Sequence, residues 1–299
     1  MTDKVAILLA TYNGAQYLVE QLESFFSQTH KKWHLFVRDD GSSDDTLKIL
    51  NSYIANNSNI TLIDNMGEYT GSAAGNFFKL INCSDFYGYS YFCLSDQDDV
   101  WAPAKLQAAL DLMSESGAEA YSSNLVAYDD FRKSARYINK CQREKKYDYL
   151  FQGASAGCTY VFSRSVFDLV QEKTRCIHDF KGRSHDWLIY AICRVAGVSW
   201  VFDKGAYIFY RQHENNVYGA MSAFSGAINK FKILRSGWYR ENILWIGQKS
   251  GASFKDKNIL DKVNRNSFID KIKLLGIVSE FRRSKPESRL LAIIILFFF

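Results

Sequence analysis

Twice in its first hundred residues the chain runs a short apolar, strand-like stretch directly into a cluster of carboxylates. Trp33–Arg38 leads into Asp39-Asp40-Gly41-Ser42-Ser43-Asp44-Asp45, and Tyr91–Leu94 leads through Ser95 into Asp96-Gln97-Asp98-Asp99. Open α/β sheets bind ligands in the crevice beyond the carboxyl ends of their strands, and the surrounding pattern fits such a sheet. Val5–Ala10 is a continuous apolar run suited to a strand covered on both faces. Leu18, Leu22, Phe25 and Phe26 fall on one face of a helix predicted over 15–28. Further helices are predicted over 46–55, with Ser43 or Asp44 as its cap, over 75–82, and over 105–113 with Pro103 at its entry. A short strand is predicted over 60–63. This alternation predicts an α/β fold, a mixed and mainly parallel sheet flanked by helices.

Beyond Tyr121 the pattern is less regular. It predicts a strand over 158–162, helices over 165–172 and 186–195, and two strands over 198–202 and 207–210. Helical periodicity returns after Ala220. With 2 Pro and 18 Gly in 299 residues the chain is neither collagen-like nor low in complexity. Its 6 Cys form no C-x-x-C pair and no Cys/His cluster at zinc spacing. With no signal peptide at the N-terminus, reduced thiols and a cytoplasmic location are expected.

The second acidic cluster packs three carboxylates into four residues, and their repulsion needs a positive partner. Hard oxygen ligands select Mg²⁺ or Mn²⁺, which at such a loop also grip a substrate diphosphate; a solvated acidic turn ahead of the helix near Pro103 is the plain alternative. The first cluster can be a tight turn and helix cap. If both clusters end strands of one sheet, however, their carboxylates share a crevice, with Thr11, Tyr12 and Asn13 adding donors on the same rim. Asp186 is either a base or the N-cap of the following helix. His213, a surface histidine by default, has Arg211 and Asn216 as neighbours, which makes an anion-binding strand end. Gly153–Gly157 is a small-residue stretch that lets backbone approach a sugar or simply bends into a strand. Trp101, Trp187 and Tyr210 could stack on sugar faces, although most aromatics must be core.

Three motifs in order, Ile7–Gly14 (ILLATYNG), Arg38–Asp44 (RDDGSSD) and Ser95–Trp101 (SDQDDVW), resemble the inverting family 2 glycosyltransferases of the GT-A fold. The resemblance covers about residues 4–215 and is nearest to bacterial enzymes of O-antigen and capsule synthesis, many of them rhamnosyltransferases. His185-Asp186-Trp187 and Tyr210–Asn216 match later motifs of that subgroup. It implies a nucleoside-diphosphate sugar donor, dTDP-rhamnose or a UDP-hexose, and a lipid-linked or growing polysaccharide acceptor. By the same resemblance Asp40 would accept a hydrogen bond from the pyrimidine, with Thr11, Tyr12 and Asn13 beside the base. Asp96 and Gln97 would lie near the ribose and metal, Asp98 would ligate Mg²⁺ or Mn²⁺ directly, and Asp99 would stand behind it. Asp186 would be the base, and His213 and Arg211 would serve the metal or diphosphate. His185 stands where the family has an acid. Two alternatives compete: a phosphohydrolase using Asp96 and Asp98, whose spacing fits a D-x-D-x-V nucleophile motif, and a sugar-nucleotide-binding scaffold without turnover.

Charge divides the chain. Residues 221–299 carry 15 Lys+Arg against 6 Asp+Glu, so a net charge of +5 splits into +9 there and −4 over 1–220. The reading is a catalytic domain over 1–218 and a basic helical extension over 219–299. The extension ends in ten uncharged apolar residues, Leu290–Phe299, about half of the roughly 20 that a spanning helix needs. Nucleic-acid binding is not expected, because no recognisable module accompanies the charge. A solvated helical face remains open. The favoured reading is peripheral contact with the inner face of the cell membrane, with Lys271, Lys273, Arg282, Arg283, Lys285 and Arg289 toward anionic headgroups.

Overall fold

The computed structural model describes residues 3–83, 86–129, 133–213, 235–252 and 254–299. Strands and crossover helices alternate at the start: β1 (Val5–Thr11), α1 (Ala15–Phe26), β2 (Trp33–Asp39), α2 (Thr46–Asn56), β3 (Ile60–Leu62), α3 (Ala73–Asn82) and β4 (Tyr91–Ser95). There follow β5 (Val100–Trp101), α4 (Lys105–Ser116), β6 (Ala120–Asp129), β7 (Ser134–Ile138), β8 (Val161–Ser163), α5 (Arg164–Thr174), α6 (His185–Ala196) and β9 (Trp200–Arg211). The described strands form one mixed sheet in the order β3-β2-β1-β4-β8-β6-β9-β5, with β7 paired to β6. β1 is buried along its whole length because β2 and β4 flank it in parallel, which is why its sequence is apolar without alternation. Leu18, Leu22 and Phe25 of α1 pack on it, and Phe25 meets the edge of Trp101 at 4.8 Å. Trp101 is therefore core and offers no sugar-stacking surface.

Three expected elements differ. The strand expected over 158–162 begins later: Gly157–Thr159 is a 3-10 turn closed by Thr159 Oγ1 on the Ala156 carbonyl, and β8 starts at Val161. The two strands expected over 198–202 and 207–210 are one, β9. A register shift against β6 at Asp203–Ala206 accommodates Lys204-Gly205, so a bulge imitates a turn in the sequence. The hairpin β6–β7 was not foreseen, because Tyr121-Ser-Ser-Asn124 is polar and still wholly buried. Ser122, Ser123 and Asn124 are satisfied internally: Asn124 Oδ1, for example, accepts from the Lys140 and Cys141 amides.

The chain divides into two compact units, one made of 1–141, 155–186 and 198–211, the other of 142–154, 187–197 and 212–299. The sheet belongs to the first. The boundary expected at 218, and the helical periodicity expected just after Ala220, lie outside the described residues. In the second unit are α7 (Trp238–Lys249), α8 (Phe254–Arg265), α9 (Phe268–Leu275) and α10 (Lys285–Phe298). Ser267 caps α9 and Ser284 caps α10, each through a side-chain oxygen on a first-turn amide. Trp187 is buried here too, donating its indole N–H to the Tyr149 carbonyl at 2.8 Å, so it stacks on no sugar.

Part of the expected basic surface is engaged within this unit: Arg283 is buried, and Lys271 and Arg282 are half-buried. Asp148, fully buried, is paired by Arg194 at 2.6 Å and faced by Arg283 at 3.6 Å, and the Tyr190 hydroxyl donates to it at 3.2 Å. Arg283 also donates to the Gly153 and Ala154 carbonyls, and Arg282 to Gln152 Oε1 and the Tyr239 hydroxyl. Lys271 donates to the Leu296 and Phe299 carbonyls, closing the end of α10. These three of the cations expected to face headgroups make hydrogen bonds within the unit. Among the described residues no helix is long and apolar enough to cross a membrane. Asp148→Ala, which strands two arginines in the interior, is expected to cost about 3–5 kcal/mol, measured by urea unfolding at neutral pH.

Candidate active site

The carboxyl ends of β1 and β2 are tied together by side chains that turn two loops. Asp39 accepts from Thr11 Oγ1 at 2.8 Å, from the Gly41 and Ser42 amides at 3.0 and 2.7 Å, and from Ser42 Oγ at 2.6 Å. Asp40 accepts from Arg38 Nη1, the Thr70 and Gly71 amides and Thr70 Oγ1, all at 2.8–3.1 Å. A carboxylate has about four lone-pair sites, and both residues have filled theirs from within the chain. The hydrogen bond expected from Asp40 to a pyrimidine therefore meets a carboxylate already engaged in anchoring the Thr70–Gly71 turn. That turn sets Tyr69 over Gly41, where a Cβ would lie 2.8 Å from the ring; Gly41 also has φ +87°, so a side chain is excluded twice. Tyr69 and Tyr12 are the exposed rings on this rim. Asn13 is spent on the same lock, its backbone N–H donating to Ser42 Oγ and its Oδ1 accepting from the Ser43 amide, both at 2.8 Å. Asp44 does not cap α2 from the N-cap position. It accepts from Thr46 and from the Ala15 amide, joining the starts of α2 and α1.

The loop after β4 is built differently. Gln97 pairs both ends of its amide with the Tyr12 backbone, at 2.8 and 2.9 Å, which fixes this loop to the end of β1. Asp96 and Asp99 find no comparable neutralisation. Asp96 is pushed up to about 8 by burial, then by the charges of Asp98 and Asp186. Asp99, fully buried, is pushed well above the usual carboxylate range by burial and by Asp98 and Asp96, and its Oδ2 has no hydrogen-bond partner. Asp96, Asp99 and Cys158 bring one ligand atom each within 4.8 Å of one another. Buried mutual repulsion with an orphaned oxygen is what a divalent cation would relieve; the two carboxylates fit a hard cation, whereas the Cys158 thiol, raised well above its usual range by burial, adds no ligand to it. The grouping differs from expectation in two respects: Asp99, expected behind the metal, is in it, and Asp98, expected as the direct ligand, is outside it and acts on it as a neighbouring charge. Arg211 draws Asp99 inward, its backbone N–H donating to Asp99 Oδ1 at 3.2 Å.

Arg211 itself is not placed to meet a diphosphate. Its guanidinium is buried between Tyr17 and Tyr128, paired with Glu20 at 2.6 Å and donating to the Asp98 carbonyl at 3.1 Å. It buttresses the acidic loop from behind. Tyr210 faces the cluster, its hydroxyl pushed well above the usual range by burial and by Asp99 and Asp96.

Asp186 lies in the first turn of α6, which starts one residue earlier than expected, so the side chain is not the N-cap. Ser184 donates its hydroxyl to Asp186 Oδ1, orienting the carboxylate. Asp186 is close enough to Asp96 to raise it, so three of the expected acidic residues, Asp96, Asp98 and Asp186, act on one place. His185 stacks on Phe77 at 4.2 Å between ring centroids, and burial pulls its pKa down. Its Nε2 would lie 2.7 Å from a Cβ on residue 157, so Gly157 leaves the room the imidazole occupies. His213 groups with the second unit; Glu214, Asn215 and Asn216 lie outside the described residues.

Sequence reasoning missed Cys158, Ser184 and the Thr70–Gly71 turn as parts of this region. Cys158, in the turn before β8, and the Thr70–Gly71 turn, before α3, are brought in from a distance in sequence, and Ser184, two residues before Asp186, carries no signal of its own.

A mixed sheet with carboxylates at its β2 and β4 ends, and a further Asp on a helix start, is the arrangement of the GT-A class of glycosyltransferases. Residues 6–169, more than half of the chain, match the model "Glycosyl transferase family 2", and the chain belongs to that family. It is 32% identical over 285 residues to the dTDP-rhamnosyl transferase RfbG of Shigella flexneri, covering 93% of this chain and 96% of that one. It is 25% identical over 166 residues to the UDP-Glc:alpha-D-GlcNAc-diphosphoundecaprenol beta-1,3-glucosyltransferase WfgD of Escherichia coli, covering 55% and 62%. Among solved structures, S. aureus TarS 1-349 in complex with UDP-GlcNAc shares the fold with a TM-score of 0.59 at 13% identity, covering 98% of this chain and 89% of that one. The protein is a glycosyltransferase, and the phosphohydrolase and scaffold readings are set aside.

The raised Asp96 carboxyl has a measurable consequence. Between the ordinary carboxylate range and about 8, the folded metal-free chain holds a proton that the unfolded chain has lost, so folding stability falls as pH rises through that interval. The expected outcome is a melting temperature, measured without divalent cations, that declines from about pH 5 to pH 8, and a flatter profile for Asp96→Asn.

Proposed function

We propose that this enzyme transfers rhamnose, with inversion, from dTDP-rhamnose to a lipid-linked or growing surface polysaccharide at the inner face of the cell membrane. The observation that supports the reading is that the charges of Asp98 and Asp186 both act on Asp96; in this reading the carboxylates after β4 serve a cation and Asp186 serves as the base. The donor follows from the 32% identical relative, whose name specifies a dTDP-rhamnosyl transfer. A UDP-hexose is the second reading, favoured by the UDP-Glc in the name of the E. coli relative, which also points to a lipid-diphosphate acceptor.

In this proposal Asp96 and Asp98, with Asp99 beneath them, hold Mg²⁺ or Mn²⁺. The bound cation supplies Lewis-acid stabilisation of the departing diphosphate. Asp186 takes the proton of the acceptor hydroxyl on the face opposite the leaving group, as inversion requires. Ser184 holds the plane of that carboxylate, so its lone pair is oriented before the acceptor arrives. On the base side, Tyr12 and Tyr69 offer exposed rings for stacking, while Thr11, Asn13, Asp39 and Asp40 keep the loops beneath them rigid. Gln97 keeps the acidic loop in register with Tyr12.

Two substitutions separate the roles. Asp186→Asn is expected to lower turnover by about 10²–10⁴ while donor binding in the presence of Mn²⁺ persists. Asp98→Ala is expected to lose cation-dependent donor binding itself, read by calorimetry with dTDP-rhamnose. Wild-type turnover in Asp186→Asn would overturn the base assignment.

A further inference from the structure

The ten apolar residues that end the chain are not equivalent in the second unit. Leu291, Ile294 and Ile295 are buried, and so is Leu274 of α9. The opposite side of the same two helices is open. On α9, Phe268 is 72% exposed, with Ile269 and Ile272 exposed by half or more. On α10, Phe297 is 70% exposed, with Leu290 and Ile293 again exposed by half or more. The two helices pack together, and the Lys271 bonds to the Leu296 and Phe299 carbonyls set the last turn of α10 beside the middle of α9. Phe297 lies in that last turn, so the apolar end of one stripe meets the other.

Along α10 the exposed side runs Lys285, Arg289, Ile293, Phe297, each four residues after the last and therefore in one line: two cations, then two apolar side chains. Lys273 is exposed next to Ile272 on α9. The acidic residues of residues 268–299 stand away from this face or are spent: Asp270 is buried against Arg265, and Glu280 and Glu287 are half-buried. An apolar centre of six large side chains with an exposed rim of one sign is too extensive for scattered surface residues. It has the form of an interfacial surface, apolar side chains entering the acyl boundary and Lys or Arg meeting anionic headgroups. A second copy of the chain would set like charges of this rim against each other, which disfavours self-association as its purpose.

We infer that this two-helix face, Phe268, Ile269 and Ile272 with Leu290, Ile293 and Phe297, seats the enzyme on an anionic lipid bilayer through Lys273, Lys285 and Arg289. The inference rests on the reading that the acceptor is presented at a membrane, and it replaces the whole terminal run by one side of it. Truncating residues 284–299 would strip Leu291, Ile294 and Ile295 from the core, so surface substitutions carry the test.

The full chain is sedimented with vesicles of phosphatidylglycerol and phosphatidylethanolamine, and separately with phosphatidylcholine alone. Wild type is expected to partition onto the anionic vesicles about tenfold more than onto the neutral ones, and Ile293→Asp/Phe297→Asp to lose at least about tenfold of that partitioning. Lys285→Glu/Arg289→Glu is expected to abolish the preference for anionic lipid. Melting temperatures near that of wild type show that the variants fold; if the Asp pair does not fold, Ile293→Ser/Phe297→Ser takes its place. Wild type that stays in the supernatant, or an Asp pair that sediments as wild type does, overturns the inference. So does a wild-type dimer in ultracentrifugation that the Asp pair converts to monomer without any vesicle binding. Transfer to a soluble acceptor analogue is measured alongside: wild type that transfers without binding vesicles sinks only this surface, and wild type that binds vesicles without transferring sinks only the proposed reaction.

Discussion

Repulsion among carboxylates that cannot all be solvated is the constraint around which the catalytic unit is arranged. Asp96 and Asp99 sit at the end of β4 within reach of Asp98, and Asp186 adds its charge from the start of α6. Asp99 receives a backbone N–H from Arg211 at one oxygen, and its Oδ2 has no hydrogen-bond partner. Arg211, the nearest guanidinium by sequence expectation, is turned away into a slot between Tyr17 and Tyr128 and pairs with Glu20. The unit therefore spends folding free energy to bury Asp96 and Asp99, a cost that a cation or a proton would relieve, as is usual for a functional site within an otherwise consistent structure.

The first acidic cluster shows the opposite solution with the same residue type. Asp39, Asp40 and Asp44 distribute their oxygens over backbone amides, hydroxyls and Arg38, and in doing so build the rim where Tyr12 and Tyr69 are displayed. Two runs of aspartates that look alike on paper thus do different work. One is satisfied from within and anchors the loops; in the other, Asp96 and Asp99 are held with their carboxyls raised well above the usual range.

The second unit repeats that economy with cations. Half of the basic residues expected on a membrane-facing surface are engaged by the chain itself: Arg283, buried, shares Asp148 with Arg194, while the half-buried Arg282 reaches Gln152 and Tyr239 and the half-buried Lys271 closes α10. A buried ion pair of this sort contributes little net stability, yet removing one partner is costly, so it fixes arrangement more than it adds free energy. The terminal apolar run divides by the same geometry, one side of a helix going to the core and the other to the surface.

The sequence by itself determined the alternating strands and helices, the two acidic strand ends and the family. A fully apolar β1 and amphipathic α1 are local patterns whose period is legible without a neighbour. So was the charge asymmetry. Bulge and turn could not be told apart at Lys204-Gly205, nor could a buried strand be recognised in Tyr121-Ser-Ser-Asn124, because burial of polar groups depends on partners supplied from Lys140, Cys141 and β9. Only the tertiary structure decided which aspartates are satisfied, that Arg211 supports rather than faces the site, that His185 fits because residue 157 is glycine, and which side of α10 stays exposed. Each of these is set by atoms far away in sequence, and the energy of a charge or a side chain depends on what surrounds it rather than on what precedes it.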